Sequence, residues 1–269
     1  MSAPSPQPSP PEGRGRLKDR VAIVTGGGHG LGRHYAEAYL GEGAAVVIAE
    51  IDAAAGAATA GELSAEGGKA LAIPTDVSDE ASVRAMVAQA IATFGKVDIL
   101  VNNAAIFASI PITQGPFDQI PIAEWDRLFA VNVRGTWLCC REVIPHMQTR
   151  GYGKIINISS GTASKGVPNM LHYVSSKAAV EGLTRALARE VGGTSGICIN
   201  AVAPGNTESE PRMPILTAEE RARALRDRIF QRAEKPDDVV GTVMFLSSPE
   251  SDFITGQTIH VDGGSVLGR

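Results

Sequence analysis

Tyr173 and Lys177 stand four residues apart in the stretch Tyr173-Val174-Ser175-Ser176-Lys177, which reads as the start of a helix. At that spacing two side chains share one helical face, with Cβ atoms roughly 5–6 Å apart. A cation fixed beside a phenol favours the phenolate. A hydroxyl that normally titrates near about 10 would then exchange protons closer to neutrality. Taken alone, such a pair is more often a core ring beside a solvated cation. Two companions change the weight: Ser160, thirteen positions earlier, and a glycine-rich turn near the beginning of the chain.

That turn runs Gly26-Gly27-Gly28-His29-Gly30-Leu31-Gly32, between an apolar run ending at Thr25 and a helical pattern reaching about Leu40. Glycine allows positive φ and a close backbone approach, and the next helix offers its free N–H groups to phosphates. Between a first strand and a first helix, this predicts a dinucleotide site formed by Gly26, Gly28, His29, Gly30, Leu31 and Gly32. Glu50 ends the second apolar run. A carboxylate there accepts hydrogen bonds from ribose hydroxyls and repels a 2′-phosphate. Ile51 and Asp52 follow it, with no Arg or Lys, so the sequence favours NAD over NADP as cofactor. Asp76 and Val77 close the third run, either beside the adenine or with Asp76 capping the helix that follows. In Asn102-Asn103-Ala104-Ala105, Asn102 is expected to tie strands together, and Asn103 and Ala104 to face the adenine ribose.

The elements that must hold these residues are legible as alternating short and long runs. Candidate strands are Val21–Thr25, Ala45–Ala49, Ala70–Pro74, Ile99–Asn102, Lys154–Ser159, Ile197–Ala201 and Gln257–Val261. They are largely apolar throughout, as expected of parallel strands buried on both faces. Amphipathic stretches separate them, the clearest carrying Val83, Met86, Val87, Ala90, Ile91 and Phe94 at helical spacing. The fold class predicted is α/β: a Rossmann-type doubly wound parallel sheet of about seven strands, helices on both faces. Ligands of such sheets sit at the carboxyl ends of the strands, where these polar and glycine residues fall.

Of the 269 residues, 43% are apolar and 20% charged, and the formal net charge is −4. That composition supports one sizeable core and argues against nucleic acid as a partner. No apolar run reaches the roughly 18 residues of a membrane span, so no membrane partner is expected. Cys139, Cys140 and Cys198 lack metal-ligand spacing and read as structural thiols in a reducing cytoplasm, with no metal site. Residues 1–16, rich in Pro, Ser, Gly and Arg, read as a disordered tail rather than a secretory signal. Residues 17–269 then form a single domain.

In combination the segments Thr25-Gly26-x-x-x-Gly30-x-Gly32, Asp76-Val77, Asn102-Asn103-Ala104-Ala105, Asn132, Ser160, Tyr173-x-x-x-Lys177 and Pro204-Gly205 resemble the short-chain dehydrogenase/reductase family. They occur in the family's order over roughly residues 17 to 265. Ala105 departs from the family's usual glycine, and Thr207-Glu208-Ser209 from its usual aliphatic residue followed by threonine. The resemblance implies a catalytic tetrad of Asn132, Ser160, Tyr173 and Lys177. In it Tyr173 is base toward an alcohol and acid toward a ketone. Lys177 lowers the phenol's pKa and holds the nicotinamide ribose, and Ser160 bonds the substrate oxygen. Asn132 holds a water that relays protons to Lys177. Pro204, Gly205 and Thr207 (or Ser209) belong to the nicotinamide end, and Thr162 joins Ser160 and Tyr173 in the substrate pocket.

The function so implied is hydride transfer between a nicotinamide cofactor, NAD in preference to NADP, and a small secondary alcohol or ketone. A 3-oxoacyl-carrier-protein reductase and a sugar or cyclic-alcohol dehydrogenase are the alternatives among enzymes. A nucleotide-binding regulator without catalysis is the alternative of another class. Residues 206–232, charged and broken by Pro211 and Pro214, read as a substrate lid. A homotetramer or dimer is implied, paired through helices around Glu124–Met147 and Tyr173–Val191, using Trp137, Leu138, Cys140 and Val143 on the first and Ala179, Leu183, Leu187 and Val191 on the second.

Overall fold

The computed structural model describes residues 15–107, 110–209, 217, 219, 225–226 and 228–267. The apolar, β-branched runs form seven strands: β1 (Val21–Thr25), β2 (Ala45–Glu50), β3 (Lys69–Pro74), β4 (Ile99–Asn102), β5 (Gly153–Ile158), β6 (Ile197–Pro204) and β7 (Thr258–Val261). All neighbours are parallel, in the order β3-β2-β1-β4-β5-β6-β7. The winding reverses between β1 and β4, which opens a crevice at their carboxyl ends. The sheet expected from the sequence is present. Its one notable extension is β6, which runs three residues further and brings Pro204 to the strand end, with Val261 opposite.

Parallel strands need crossovers, and helices supply them. They are α1 (Gly30–Gly41), α2 (Ala53–Ala65), α3 (Glu80–Phe94), α4 (Ile122–Phe129), α5 (Thr136–Arg150), α6 (Gly161–Lys165), α7 (Leu171–Ser195) and α8 (Pro236–Ser247). Successive strand residues face opposite sides. Ile23, Val47, Leu100 and Ile155 therefore pack with α3, α5 and α7, while Ala22, Val24, Val46 and Ile48 pack with α1, α2 and α8. Each fully buried branched side chain stabilises the fold by about 1.5–3 kcal/mol. The sheet centre is thus a rigid floor under the crevice.

Two expectations change. The helix around Glu124–Met147 is not uniform: α4 passes through a π-helical turn, Ala130–Gly135, into α5. Such wide turns re-aim side chains, and this one carries Asn132 into the protein, 1% exposed. Leu138, Cys140 and Val143, expected at a subunit interface, are instead buried under the sheet. Only Trp137 of that group faces outward, with the Arg141 guanidinium 5.2 Å from its ring.

The tail expected over residues 1–16 lies outside the described residues as far as residue 14. Its last two residues are anchored: the Gly15 and Arg16 amides and the Arg16 guanidinium all donate to Glu42. Most of the lid expected over 206–232 lies outside the described residues, including Glu210, Arg212, Ile215, Leu216 and Arg223. Among the described residues no helix is long and apolar enough to cross a membrane. The three cysteines are free and buried.

Candidate active site

The glycine turn is built for close approach. Gly26 and Gly30 adopt φ of 62° and 50°, which L side chains rarely tolerate. Gly32 sits so near the Gly26 carbonyl that an added Cβ would overlap its oxygen. Asn103 locks the turn from β4: its Nδ2 donates to the Thr25 and Gly26 carbonyls, each at 3.0 Å. The Thr25 hydroxyl accepts from the Asn103 and Ala104 amides at 3.0 and 3.1 Å. His29 occupies the N-cap of α1 in extended conformation and makes no side-chain cap, so the first-turn N–H groups are left for another acceptor.

These features frame one cavity of about 960 Å³ at the β1/β4 crevice. Gly26, His29, Gly30 and Leu31 form its phosphate-sized end; Gly28 and Gly32, expected there too, lie off the wall and shape the turn from behind. Glu50 reaches the wall at the end of β2. Its Oε2 accepts from the Gly28 amide (3.0 Å), and Oε1 from the Ile51 and Asp52 amides (2.9 and 3.2 Å). Ile51, Asp76, Val77 and Ala104 line the same end. Asp76 does not cap α3; Asp79 does, accepting from Ala81 and Ser82, while Asp76 accepts from Ser78. Asn102 ties β4 to β5 as expected, donating to Asn157 at 2.8 Å. The turn fits a pyrophosphate: missing Cβ atoms and uncapped helical amides meet where an anion would sit.

At the other end, Ser160, Tyr173 and Lys177 converge on the cavity wall. Ser160 follows β5 and caps α6; its Oγ accepts from the Thr162 amide (3.2 Å) and hydroxyl (3.0 Å), which fixes its orientation. Its neighbour Ser159 also borders the cavity, with its hydroxyl committed to Glu181 and the Lys177 carbonyl. Lys177 Nζ donates to the Ile158 carbonyl at 2.8 Å and lies 5.9 Å from the Tyr173 ring centre. Phe107 stacks on Tyr173 with ring centres 4.3 Å apart. Asn132 does not line the cavity: its Oδ1 accepts from the Ile106 amide (2.8 Å) and its Nδ2 donates to Ser176 (3.2 Å).

The electrostatics differ from the sequence expectation. The Tyr173 phenol is raised to about 12, because burial pushes it up by more than a hydrogen bond with Ser160 draws it back. Burial lowers the Lys177 ammonium to about 8. Desolvation disfavours both charged forms, and in the protein alone it outweighs the attraction expected between them.

Sequence reasoning missed the support beneath Pro204-Gly205. Gly205 and Thr207 line the cavity wall, and both donate to Glu234 Oε1, at 3.1 and 2.6 Å. Glu234 is 4% exposed, its carboxyl raised by burial despite Thr207 and the Arg228 guanidinium 3.7 Å away. A Cβ at 205 would strike its Oε2. No motif marks Glu234, because the signal is a contact across 29 positions.

A doubly wound sheet with a glycine turn at the crevice and a Ser, Tyr, Lys cluster opposite defines a dinucleotide-dependent oxidoreductase. The family profile described as Enoyl-(Acyl carrier protein) reductase matches residues 26–265. The short chain dehydrogenase/reductase astE of Aspergillus oryzae is 39% identical over 93% of this chain and 96% of its own. Sorbitol dehydrogenase of Cereibacter sphaeroides is 39% identical over 93% and 98%. The crystal structure of 3-ketoacyl-(acyl-carrier-protein) reductase from Brucella melitensis complexed with NADH superposes with a TM-score of 0.84 at 36% identity, covering 93% and 100%. The chain belongs to the short-chain dehydrogenase/reductase family and is an oxidoreductase that works with a nicotinamide cofactor.

Proposed function

We propose that the protein interconverts a secondary alcohol and its ketone, prefers NAD to NADP, and folds over residues 17–269 as one domain. The observation that carries this reading is the convergence of Ser160, Tyr173 and Lys177 on the cavity that the glycine turn and Glu50 also line. In oxidation, the Tyr173 phenolate takes the proton of the substrate hydroxyl; in reduction, the phenol returns it to the forming alkoxide. When bound, the nicotinamide supplies the hydride acceptor or donor and, oxidised, a positive charge. Ser160 donates to the substrate oxygen, its direction set by Thr162. Lys177 holds the nicotinamide ribose and favours the phenolate. Asn132 acts as a brace through Ile106 and Ser176. Copies associate as a homotetramer or dimer, with Trp137 and Leu183 among the half-exposed apolar residues of α5 and α7 available for pairing.

The test mixes purified protein with NAD or NADP and a panel of secondary alcohols and follows the reduced cofactor by absorbance. Turnover with NADP alone would reject the cofactor preference, and NAD binding without any turnover would favour the regulator. Glu50→Gln keeps an acceptor for the Gly28 amide but removes the charge. The ratio of kcat/KM for NAD over NADP is expected to fall about tenfold or more, since ~1.4 kcal/mol of lost discrimination is a factor of ten. An unchanged ratio would remove Glu50 from the specificity argument.

The pH dependence follows from Tyr173. Its phenol is raised to about 12 by burial, so the active phenolate gains population as pH rises. Oxidation is expected to accelerate as pH rises toward about 12, and reduction, which needs the phenol, to weaken only as pH nears that value. A flat oxidation profile, with the chemical step limiting, would remove Tyr173 as the base.

A further inference from the structure

His172 immediately precedes Tyr173 on α7 and is wholly buried. Its Nε2 lies 2.7 Å from Glu124 Oε1 in the first turn of α4. Its Nδ1 is buried with no partner. A proton on Nδ1 would be an unsatisfied donor, so the arrangement with Nε2–H donating to Glu124 is the one that fits. The same carboxylate holds the chain at residue 113. Oε1 accepts from the Thr113 amide at 2.7 Å and Oε2 from the Thr113 hydroxyl at 2.9 Å. Burial works against ionisation of Glu124, yet the bonds from Thr113 and His172 hold its carboxyl below the usual range.

Thr113 is not itself on the cavity wall but adjoins Gln114, which lines it, as do Ile110 and Phe107, the last stacked on Tyr173. A second tie closes the same segment from the opposite side, where the Gly115 amide donates to the Asn169 carbonyl at 3.1 Å. Asn169 presents that carbonyl from a left-handed backbone (φ 64°), a conformation kept where surroundings enforce it. The segment from 110 to 115 therefore has few ways to move relative to Tyr173 while Glu124 is in place.

We propose that Glu124 is a specificity-setting positioning residue: by bonding Thr113 and His172 together, it fixes the substrate-facing wall at a set distance from Tyr173. The inference rests on the alcohol/ketone reading above and deepens it, because the width left between this wall and Tyr173 decides which carbon skeletons enter. Glu124 touches neither substrate nor cofactor, and its effect passes through Ile110, Gln114 and Phe107.

The test compares Glu124→Ala with Glu124→Gln in the full chain. Alanine removes every bond. Glutamine keeps an oxygen for the Thr113 amide and His172, and an N–H that the Thr113 hydroxyl can accept. Two readouts are taken: kcat and KM for isopropanol and cyclohexanol, and amide hydrogen exchange over the whole chain. With alanine, the ratio of kcat/KM for cyclohexanol over isopropanol is expected to shift about tenfold, mainly through KM, while NADH affinity holds. Exchange should quicken at 110–115 and at the start of α7, and glutamine should restore both. An unchanged alcohol ratio with unchanged exchange would overturn the proposal. So would exchange that quickens throughout the chain with NADH affinity falling in step, because that is general destabilisation. If the unaltered protein oxidised neither alcohol, the reaction reading would be in question, and the exchange pattern alone would still uphold or overturn the positioning by Glu124.

Discussion

Replacing Tyr173 by phenylalanine is expected to lower turnover about a thousandfold, the scale of a lost general acid–base group. The substitution removes one hydroxyl and leaves the ring. That ring packs with Ile106 and Leu128 and stacks on Phe107 at 4.3 Å, so the wall beside it keeps its shape. NADH affinity, read by fluorescence titration, should therefore hold, and the melting temperature should move little. The separation of the two readouts is the point of the experiment. Loss of rate together with loss of NADH binding would mean that the hydroxyl supports the cofactor site, and the rate alone would then not identify it as the base. Retained turnover would mean that another group accepts the proton, and the role given to Ser160 and Lys177 would have to be rebuilt around it.

The second large effect belongs to Gly32→Ala. A methyl group at 32 would overlap the Gly26 oxygen and come within 2.6 Å of Asn103 Nδ2. Neither is the free end of a flexible chain: the carbonyl belongs to the turn, and Asn103 is committed to Thr25 and Gly26. The start of α1 must move outward, and the strain is about 1–3 kcal/mol, as for other overpacked sites. It falls on the phosphate end of the cavity, so NADH affinity is expected to drop about a hundredfold, equivalent to ~2.7 kcal/mol. Far-UV circular dichroism should show the sheet and helices retained, with a lower melting temperature. NADH binding at the original affinity would mean that the turn relaxes without cost, and that its glycines are not there for the dinucleotide.

Much of this was readable in the chain before its structure. The seven strands were legible because a parallel strand covered on both faces must be apolar at nearly every position, and runs such as Val46–Ile48 are. The glycine turn was legible because its chemistry is local. Helical spacing put Tyr173 beside Lys177 and a strand end carried Ser160, but it was the family resemblance that implied their convergence. What sequence could not supply was partners. Glu124 and His172 are 48 positions apart and belong to different helices; Glu234 reaches under Gly205 from the far side of a long insertion. Hydrophobic periodicity says which face a residue occupies, not what stands opposite. The π-helical turn at Asn132 was invisible for a related reason, since one extra residue in a turn leaves the apolar pattern almost intact. The phenol's upward shift was missed because burial depth is a property of the assembled fold.

The seam between β1 and β4 carries a consequence for biosynthesis. The glycine loop is made early, but the asparagine that clamps it arrives 78 positions later. Closing so long a loop costs entropy that only the finished pairing returns. On the ribosome, then, the emerging N-terminal portion would hold the correct residues in the correct order and still be unable to grip a dinucleotide. Affinity for the nucleotide would switch on late, with the arrival of the fourth strand, and would serve as a timestamp for the joining of the two halves of the sheet.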